Sequence, residues 1–396
     1  MQLVAYGAQD VYLTADPQIT FFKAVYRRHT NFAMESMEQT LNGTAAFGNK
    51  VTCRISRNGD LMGRTYVGVT LPALPATSLD GYVNRVGFRL LKMVELRVGG
   101  QMIDRHYSTW MQIWCELTST STQSALLDKL AGAKGAAGDG ATRNGGTDDA
   151  SATTLTVPLL FAYCRHPGLA LPLIALQYHE VEIQIEFETA ARCVLTGAPA
   201  PTGNLSNVSL WVDYIFLDTS ERKVFAQEPH EYLIECTQSM ENSSLSGTTS
   251  NNVRLTFNHP TKFLAWAVRD TGSSGDDFTD FTTNASTSAG TTSSVVDGKL
   301  QLNGQDRFYV RPTSYFNYVQ PYQHFSGKPD LGIQVYSFAL KPEEHQPSGS
   351  CNLSRIDNVN LLITPATATA NSLSIYAFNY NVFRVASGMG GLAYSN

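Results

Sequence analysis

Apolar and polar residues alternate along several segments of this chain, and the alternation predicts β-strands. Residues 180–188 read EVEIQIEFE, so four apolar side chains face one way and the polar side chains face the other. Strict alternation over this length is typical of a half-buried strand. Residues 208–216 and 376–382 repeat the period of two. Clusters of Gly, Pro, Asn and Ser separate such segments, so the sequence predicts a β-sandwich or β-barrel.

One segment has a helical period instead. Its large apolar residues recur at i, i+3, i+4, i+7 and i+10, which places them in a single stripe. They are Tyr107, Trp110, Met111, Trp114 and Leu117. We expect a helix that packs on a sheet. In the alternative interpretation the two tryptophans line a ligand pocket, but their spacing alone does not favour it.

The two halves of the chain resemble each other. Residues 95–105 (ELRVGGQMIDR) and 299–308 (KLQLNGQDRF) each read as a strand, a Gly-Gln turn and a returning segment with Asp-Arg. Residues 161–163 and 338–340 are each followed by a proline-containing loop and an apolar segment. Gly-Gly and Asn-Gly pairs suit tight hairpin turns with positive φ. The sequence therefore predicts an all-β chain of two tandem eight-stranded jelly rolls with short helices in the loops. The alternative is two unrelated sandwiches that share turn dipeptides.

Composition along the chain indicates where the domains divide. A polar, charged segment follows the strand predicted near residue 216 and marks the boundary. Two low-complexity segments, 132–151 and 271–294, are rich in small or hydroxyl side chains and are expected to be exposed loops. We expect four parts: an N-terminal arm (1–35), a first jelly roll (36–220), a linker (221–230) and a second jelly roll (231–396).

The overall composition excludes two classes of protein. Of the 396 residues, 43% are hydrophobic and only 16% are charged, with 29 basic and 34 acidic side chains. Such a chain is too apolar to be disordered, and it lacks the basic excess of a general nucleic-acid binder. The scarcity of charge indicates a neutral polar surface or a surface hidden against neighbouring molecules. We expect neither a signal peptide nor a transmembrane helix, and we expect reduced cysteines in a chain that folds in the cytosol.

The motifs of common enzyme and metal sites are missing from the sequence. No phosphate-binding loop, H-E-x-x-H, G-x-S-x-G or H-x-H occurs, so we expect no catalytic, cofactor-binding or metal-binding residues and no cofactor. The cluster Glu343-Glu344-His345 is interpreted as a solvated loop rather than a metal site. The segment Tyr178-His179-Glu180 is interpreted as the start of a strand, because adjacent side chains point to opposite faces. Asn284, in the Ser/Thr-rich segment, is the candidate for glycosylation.

The N-terminal arm combines aromatic residues with a basic cluster. Residues 17–31 contain three basic residues and no acidic residue. Lys23, Arg27, Arg28 and His29 are therefore candidates for contact with an anionic surface such as lipid headgroups. In the alternative, the arm packs onto its own domain or a neighbour, and the arginines pair with carboxylates.

Several blocks of the sequence resemble one protein family. The N-terminal blocks read LVAYGAQDVYLT, PQITFFK and YRRHTNF, and they occupy residues 3–14, 17–23 and 26–32. Further matching blocks lie at residues 58–61, 170–179, 303–308, 338–349 and 380–384. This pattern is similar to the major capsid proteins of nucleocytoplasmic large DNA viruses, particularly those of algal viruses. The resemblance extends over nearly the whole chain.

The resemblance implies a double jelly roll that acts as a structural capsid protein. Three chains would form a homotrimer whose six barrels make a pseudo-hexagonal capsomer, and capsomers would tile an icosahedral shell over an internal membrane. Neighbouring capsomers, minor capsid proteins and penton proteins would be its partners. The arm would lie on the inner side, contact with the membrane would be peripheral at most, and no nucleic acid would be bound directly. The chain would be made and assembled in the host cytoplasm and would reside in the virion.

The alternative function is that of a jelly-roll protein that binds glycans for attachment to a host. No recognisable sugar site occurs in the sequence. Phe278 and Phe281, in the segment expected to be an exposed loop, could stack on a sugar ring.

Overall fold

The computed structural model describes residues 7–74, 81–132, 152–195, 200–270, 278–283 and 292–394. In the first half the strands are β1 (Phe32–Gln39), β2 (Leu41–Asn42), β3 (Lys50–Arg54), β4 (Leu61–Leu71), β5 (Leu91–Val98), β6 (Gln101–Tyr107), β7 (Thr153–Pro158), β8 (Leu171–Pro172), β9 (Val181–Phe187) and β10 (Ser206–Leu217). In the second half they are β11 (His230–Ser244), β12 (Asn251–Leu255), β13 (Pro260–Asp270), β14 (Val295–Leu302), β15 (Gln305–Asp306), β16 (Arg311–Pro312), β17 (Ile333–Ser337), β18 (Cys351–Asn352), β19 (Val359–Pro365), β20 (Ala370–Ala386) and β21 (Met389–Leu392).

The helices are short, and all except α1, which lies in the arm before β1, are found in the loops between strands, as predicted. They are α1 (Val11–Thr14), α2 (Val86–Leu90), α3 (Ser108–Thr118), α4 (Ser121–Ala131), α5 (Ala162–Arg165), α6 (Ala190–Cys193), α7 (Thr219–Gln227) and α8 (Gln320–His324). A π-helical turn at Tyr315–Val319 leads directly into α8. No helix in the described part of the chain is long and apolar enough to cross a membrane.

The two halves have the same strand order. In the first half, sheet 1 has the order β1-β10-β4-β7, and sheet 2 has the order β2-β3-β9-β5-β6. In the second half, sheet 3 has the order β11-β20-β13-β17, and sheet 4 has the order β12-β19-β14-β15. Short strands extend these sheets, with β8 on β4, β16 on β14, β18 on β13 and β21 on β20. Because each half pairs its four principal strands per sheet in the same way, the predicted pair of eight-stranded jelly rolls is confirmed.

The predicted hairpins provide a direct check of the internal repeat. Gly99 and Gly100 have φ of +57° and +81° between paired Val98 and Gln101. Asn303 and Gly304 have φ of +51° and +77° between the paired ends of β14 and β15. Two residues with positive φ match the right-handed twist of the flanking strands. Both copies therefore contain the same two-residue hairpin, as the sequence predicts.

Each jelly roll encloses its own apolar core. In β9 every second side chain is buried, as the alternation predicts. These side chains meet apolar residues of the facing sheet, Val67, Val69 and Leu210 among them. The second core contains Trp266, Phe316 and Ile375. All six cysteines are free thiols, and burial raises the pKa of the Cys115 thiol to about 12.

The predicted helix is confirmed as α3, except that Tyr107 is the last residue of β6. The helix packs between the two jelly rolls. It belongs to the first half but lies on the outer face of sheet 3, with ring centroids 5.3 Å apart for Trp110–Tyr376 and 4.7 Å apart for Trp114–Phe378. Alternate residues of β13 and β20 point into the core of the second jelly roll. Sheet 3 is therefore buried on both faces.

The ends of the predicted domains have defined structures. The arm reaches β1 at Phe32, which pairs with Leu217 at the far end of β10. Residues 32–35 therefore form part of sheet 1, although the sequence places them in the arm. Most of the segment 221–230, expected to be a linker, lies in α7. Strands on either side of α7 pair within their own half.

A second contact between the jelly rolls is polar. Arg85 is buried and forms ion pairs with Glu116 of α3 and with Asp128 of α4, the latter at 2.8 Å. A loop of the second jelly roll closes over this cluster, since the Gly327 amide donates to the Leu117 carbonyl at 2.8 Å. Burial and the nearby carboxylate of Asp330 raise the pKa of Glu116 to about 7. One arginine thus faces three carboxylates at this contact.

Replacing the buried tryptophan of α3 should destabilise the chain. Trp110→Ala leaves a cavity between two packed units, and we expect the free energy of unfolding to fall by about 3–5 kcal/mol. Urea unfolding monitored by fluorescence measures the change. Val224→Ala, on the exposed surface of α7, is the control and should stay within about 0.5 kcal/mol of the original chain. Equal effects of the two substitutions would contradict the packing role of α3.

The free energy of unfolding should fall as the pH rises, because Glu116 loses its proton in the folded chain. Between the ordinary glutamate pKa of about 4.3 and the folded value of about 7, the folded chain retains a proton that the unfolded chain has released. Stabilisation from this proton is lost as the pH rises through that window. In Glu116→Gln the loss from pH 5 to pH 8, measured by urea unfolding, should be smaller by about 1–3 kcal/mol. Glu180→Gln, at an exposed pair with Arg54, is the control and should leave the loss of stability from pH 5 to pH 8 unchanged. An unaltered pH profile in Glu116→Gln would refute this assignment.

Candidate functional site

The contact between the jelly rolls contains a buried cation. Lys262 is 0% exposed although it lies in β13. The strand register shifts between Thr261 and Phe263, so Lys262 is the extra residue of a β-bulge. A bulge re-aims a side chain, and the Lys262 ammonium lies 5.5 Å from the centroid of the Phe378 ring, on the face that α3 covers. Burial lowers the pKa of Lys262, and the neighbouring Glu235 carboxylate opposes this shift.

Glu235 of β11 joins this lysine to the first jelly roll. Its Oε1 lies 2.5 Å from Lys262 Nζ, and its Oε2 lies 3.3 Å from a guanidinium nitrogen of Arg165 at the end of α5. The Arg165 guanidinium is 4.7 Å from the centroid of Phe378 and 4.9 Å from that of Trp114. Lys262 also donates to the Glu344 carbonyl at 2.8 Å. Because buried charges need partners, this network is satisfied only when the jelly rolls are correctly aligned.

Strands β6 and β11 add a third contact. The Thr237 amide of β11 donates to Asp104 Oδ1 of β6 at 3.0 Å. The Cys236 thiol lies 3.7 Å from the Ile103 carbonyl oxygen and donates to it. Both hydrogen bonds are buried and connect the two halves. The edge of β11, which would otherwise expose unpaired backbone groups, is therefore covered by the first jelly roll.

The counterpart of this covered surface is exposed on the first jelly roll. Sheet 1 corresponds to sheet 3 by strand order. Its strands bury alternate residues in the first core, so the intervening residues form its outer face. Tyr66 and Trp211 are direct neighbours on this face, and Gly68 lies between Ser209 and Thr156. These residues are neutral, but charged side chains lie among them: Glu38 pairs directly with Trp211, Asp213 follows it two residues along β10, and exposed Arg64 precedes Tyr66 by two residues in β4. Trp211 is exposed, whereas Phe378 on the covered sheet is buried.

The N-terminal arm is exposed along its length. Every residue from 11 to 36 is exposed, and the Phe21 and Phe22 side chains are 89% and 99% accessible. Within the described chain Lys23, Arg27 and Arg28 form no ion pair, and His29 contacts the neighbouring Thr30 carbonyl at 2.8 Å. The alternative in which the arm packs on its own domain is therefore wrong. The aromatic and basic side chains are available to a surface outside this chain.

The carboxylate-histidine segments singled out in the sequence take structural roles. Glu343 accepts a hydrogen bond from the Ser326 amide at 2.7 Å, and Glu344 pairs with Lys341 at 2.9 Å. His345 lies 4.0 Å from Glu235, so this segment is half-buried against the network rather than fully solvated. His179 hydrogen bonds with the backbone of Gly390. The described residues contain no cluster of three or more His, Cys, Asp or Glu that could hold a metal.

The structure tests only part of what was expected of the two low-complexity segments, 132–151 and 271–294. Phe278 and Phe281 are each 1% exposed, and most of the other described residues of the segment 271–294 are buried as well. The expectation of an exposed loop is therefore wrong for this described part, and so is the interpretation of exposed rings available to a sugar. The guanidinium of Arg269 lies over both rings, 5.7 Å and 5.1 Å from their centroids, and the rings join the apolar clusters. Asn284 and nearly all of the segment 132–151 lie outside the described residues.

Sequence patterns missed the charged residues that align the jelly rolls. Lys262 stands in the run Thr261 to Val268, which is otherwise apolar after its first residue. A lysine inside such an apolar run is the one sequence feature that could have indicated a buried ion pair, because a buried lysine requires a partner. The partners Glu235 and Arg165 are 27 and 97 residues away in the chain, so spacing does not connect them.

Family comparisons match almost the entire chain. Residues 20–218 match the family "Major capsid protein N-terminus", and residues 221–391 match the family "Large eukaryotic DNA virus major capsid protein". The chain is 47% identical to the major capsid protein of Pyramimonas orientalis virus, over 100% of this chain and 99% of that protein. It is 45% identical to the major capsid protein of Paramecium bursaria Chlorella virus 1, with the same coverage.

Solved structures agree with the sequence matches. The VP54 protein of Paramecium bursaria Chlorella virus 1 has a TM-score of 0.83 and 41% identity, covering 95% of this chain and 100% of that chain. The Faustovirus major capsid protein shares the fold, with a TM-score of 0.73 at 14% identity over 96% of this chain and 94% of that chain. The fold, the two family matches and the full-length relatives lead to one conclusion: this chain belongs to the major capsid proteins of large eukaryotic DNA viruses and is a structural protein of the virion shell.

Proposed function

We propose that three copies of the chain form a homotrimeric, pseudo-hexagonal capsomer of six jelly rolls. One observation supports this proposal above the others: Trp211 and Met34 on the outer face of sheet 1 are exposed, whereas the same face of sheet 3 is buried under α3. In a closed ring each jelly roll has a neighbour on both sides. For each jelly roll, one of these neighbours is the other jelly roll of the same chain. A second copy of the chain would provide the other neighbour.

The neutral residues Tyr66, Gly68, Ser209 and Trp211 on the outer face of sheet 1 support its burial in such an assembly. Burying charged side chains without partners costs several kcal/mol, whereas Ser, Thr, Gly and aromatic residues are buried at a much lower cost. Tyr and Trp are also enriched in the central parts of protein interfaces. This face therefore suits a permanent contact, and it helps to explain why only 16% of the residues are charged.

The proposed capsomers tile an icosahedral shell over an internal membrane. Neighbouring capsomers, minor capsid proteins and penton proteins are the proposed partners, and assembly takes place in the host cytoplasm. The free thiols suit a reducing compartment. The proposal gives the chain a structural role with no catalytic step, cofactor or direct contact with nucleic acid.

We further propose that the four expected parts of the chain have separate places in this shell. Residues 1–35 form an inner arm, 36–220 and 231–396 form the two barrels, and 221–230 connect them. Lys23, Arg27, Arg28 and His29 face the membrane, where anionic headgroups attract basic side chains. The exposure of the nearby aromatic residues supports peripheral contact.

The purified chain should sediment as a trimer. We expect sedimentation velocity to give three chain masses, and Trp211→Glu should shift the population toward monomer because it places a charge in the buried face. Tyr178→Glu, at another exposed aromatic residue, is the control and should leave the trimer intact. A chain that stays monomeric at high concentration would refute the proposed capsomer.

The arm should bind anionic vesicles through its basic residues. We expect the chain to float with vesicles that contain phosphatidylserine and to dissociate as salt is raised, because exposed charges are screened. The variant K23E/R27E/R28E should lose this binding, while substitution of exposed Lys223 and Arg254 by Glu should preserve it. Equal flotation with neutral vesicles, or unchanged flotation of the arm variant, would contradict the proposed membrane contact.

A further inference from the structure

A cleft between the two jelly rolls has more cations than carboxylates in its lining. It has a volume of about 420 Å³ and lies beside Ser108 and Thr109, the first residues of α3. Its basic residues are Arg89, Lys92, Arg192 and Arg269. Among the described residues of the lining, the acidic ones are Glu188 and Glu241. The cleft is therefore locally positive, although the whole chain has a net charge of −5.

Both jelly rolls bring a guanidinium to the same aromatic ring. Arg89 of α2 lies 5.3 Å from the centroid of Phe278, and Arg269 of β13 lies 5.7 Å from it. The Arg89 Nε donates to the Arg192 carbonyl at 3.2 Å. Arg269 donates to the Phe278 carbonyl at 2.9 Å. Two cations held this close repel each other, so an anion bound beside them would stabilise the junction between the jelly rolls.

The carboxylates of the lining already accept hydrogen bonds from the protein. Glu241 accepts from the hydroxyls of Tyr376 and Ser374, the latter at 3.2 Å. Burial raises the pKa of Glu241, which makes its charged form less favourable. Glu188 accepts from the Thr189 amide at 3.0 Å. Both carboxylates therefore have donors other than the basic side chains of the cleft.

The two basic residues at the surface of the cleft can exchange partners. Lys92 lies 2.5 Å from Glu186, and Arg192 lies 3.7 Å from Glu188. The Lys92 and Arg192 side chains are 48% and 65% exposed. Ion pairs of exposed side chains contribute little to stability. A ligand with several negative charges can thus replace these partners at a low cost.

We infer that this cleft binds a small anion that carries several phosphate groups. The planar guanidinium of arginine matches phosphate, because it donates two parallel hydrogen bonds. Three arginines and a lysine provide more donors than a single phosphate group can accept, and the volume lies in the range of small-molecule sites. Phe278 and Phe281 are buried, so neither ring is available to stack on a nucleobase. The phosphate groups are therefore what the cleft recognises.

The bound anion joins the two jelly rolls. Arg89, Lys92 and Arg192 belong to the first jelly roll, and Arg269 belongs to the second. A ligand that binds the folded chain and not the unfolded chain raises the free energy of unfolding as its concentration increases. This role goes beyond that of a passive shell subunit and does not depend on the proposed trimer.

Calorimetric titration of the full chain with inorganic tripolyphosphate tests the site. We expect binding, and we expect K92Q/R192Q to raise the dissociation constant by about tenfold or more because two charge-assisted contacts are lost. The matched control is R54Q/R384Q, which removes two exposed basic residues from ion pairs elsewhere and should leave the dissociation constant unchanged. Tripolyphosphate should also raise the Tm of the original chain and of the control more than that of K92Q/R192Q.

Other phosphate compounds define the ligand. Inorganic phosphate should bind about tenfold or more weakly than tripolyphosphate, because it reaches fewer of the four basic residues. ATP and inositol hexakisphosphate are compared at equal concentration, and the tighter of the two identifies the source of the phosphate groups. A chain that does not bind tripolyphosphate, or that binds it equally well with K92Q/R192Q, would overturn the inference and leave the proposed function standing.

Discussion

The burial of sheet 3 on both faces is the constraint on which the rest of the structure depends. Strand β13 directs Trp266 into the second core and Phe263 toward α3 of the first jelly roll. A strand buried on both faces must be apolar on both, and FLAWAV, which follows Lys262, is such a sequence. Separating the jelly rolls would expose this aromatic layer to water. The two barrels therefore behave as one unit, and their shared face sets the shape that the chain presents to its neighbours.

Charged residues give this apolar contact a single alignment. Aromatic rings tolerate small sliding movements, whereas Lys262, Glu235 and Arg165 lose their partners if the jelly rolls shift by a few ångströms. An unpaired buried charge costs far more than an imperfect apolar contact. Arg85 and its carboxylates form a second polar cluster at this junction, on Glu116 of α3. Alignment of the barrels thus depends on polar groups, although most of the buried area is apolar.

The two jelly rolls share a fold but differ in their outer faces. Sheet 3 carries Phe263, Tyr376 and Phe378 toward its covering helix, whereas sheet 1 carries Tyr66, Gly68 and Ser209 at the corresponding positions or their neighbours. The first arrangement is made within the chain during folding. The second leaves Trp211 exposed and carries Glu38, Arg64 and Asp213 beside its neutral residues. The duplicated fold thus has one outer face covered within the chain, on sheet 3, and a corresponding face on sheet 1 that α3 does not cover.

Sequence alone determined the strands, α3, the hairpin turns and the repeat, because these depend on local periodicity and on residues that adopt positive φ. Residues 3–32 and 338–349 also indicated the family. The tertiary structure alone decided that α3 covers the other jelly roll, that Lys262 occupies a β-bulge beside Glu235, and that Phe278 and Phe281 are buried. These features join residues far apart in the chain, and periodicity shows which side of a strand is apolar without showing what covers it. For the same reason the exposed face of sheet 1 could be recognised only by comparison with its buried counterpart.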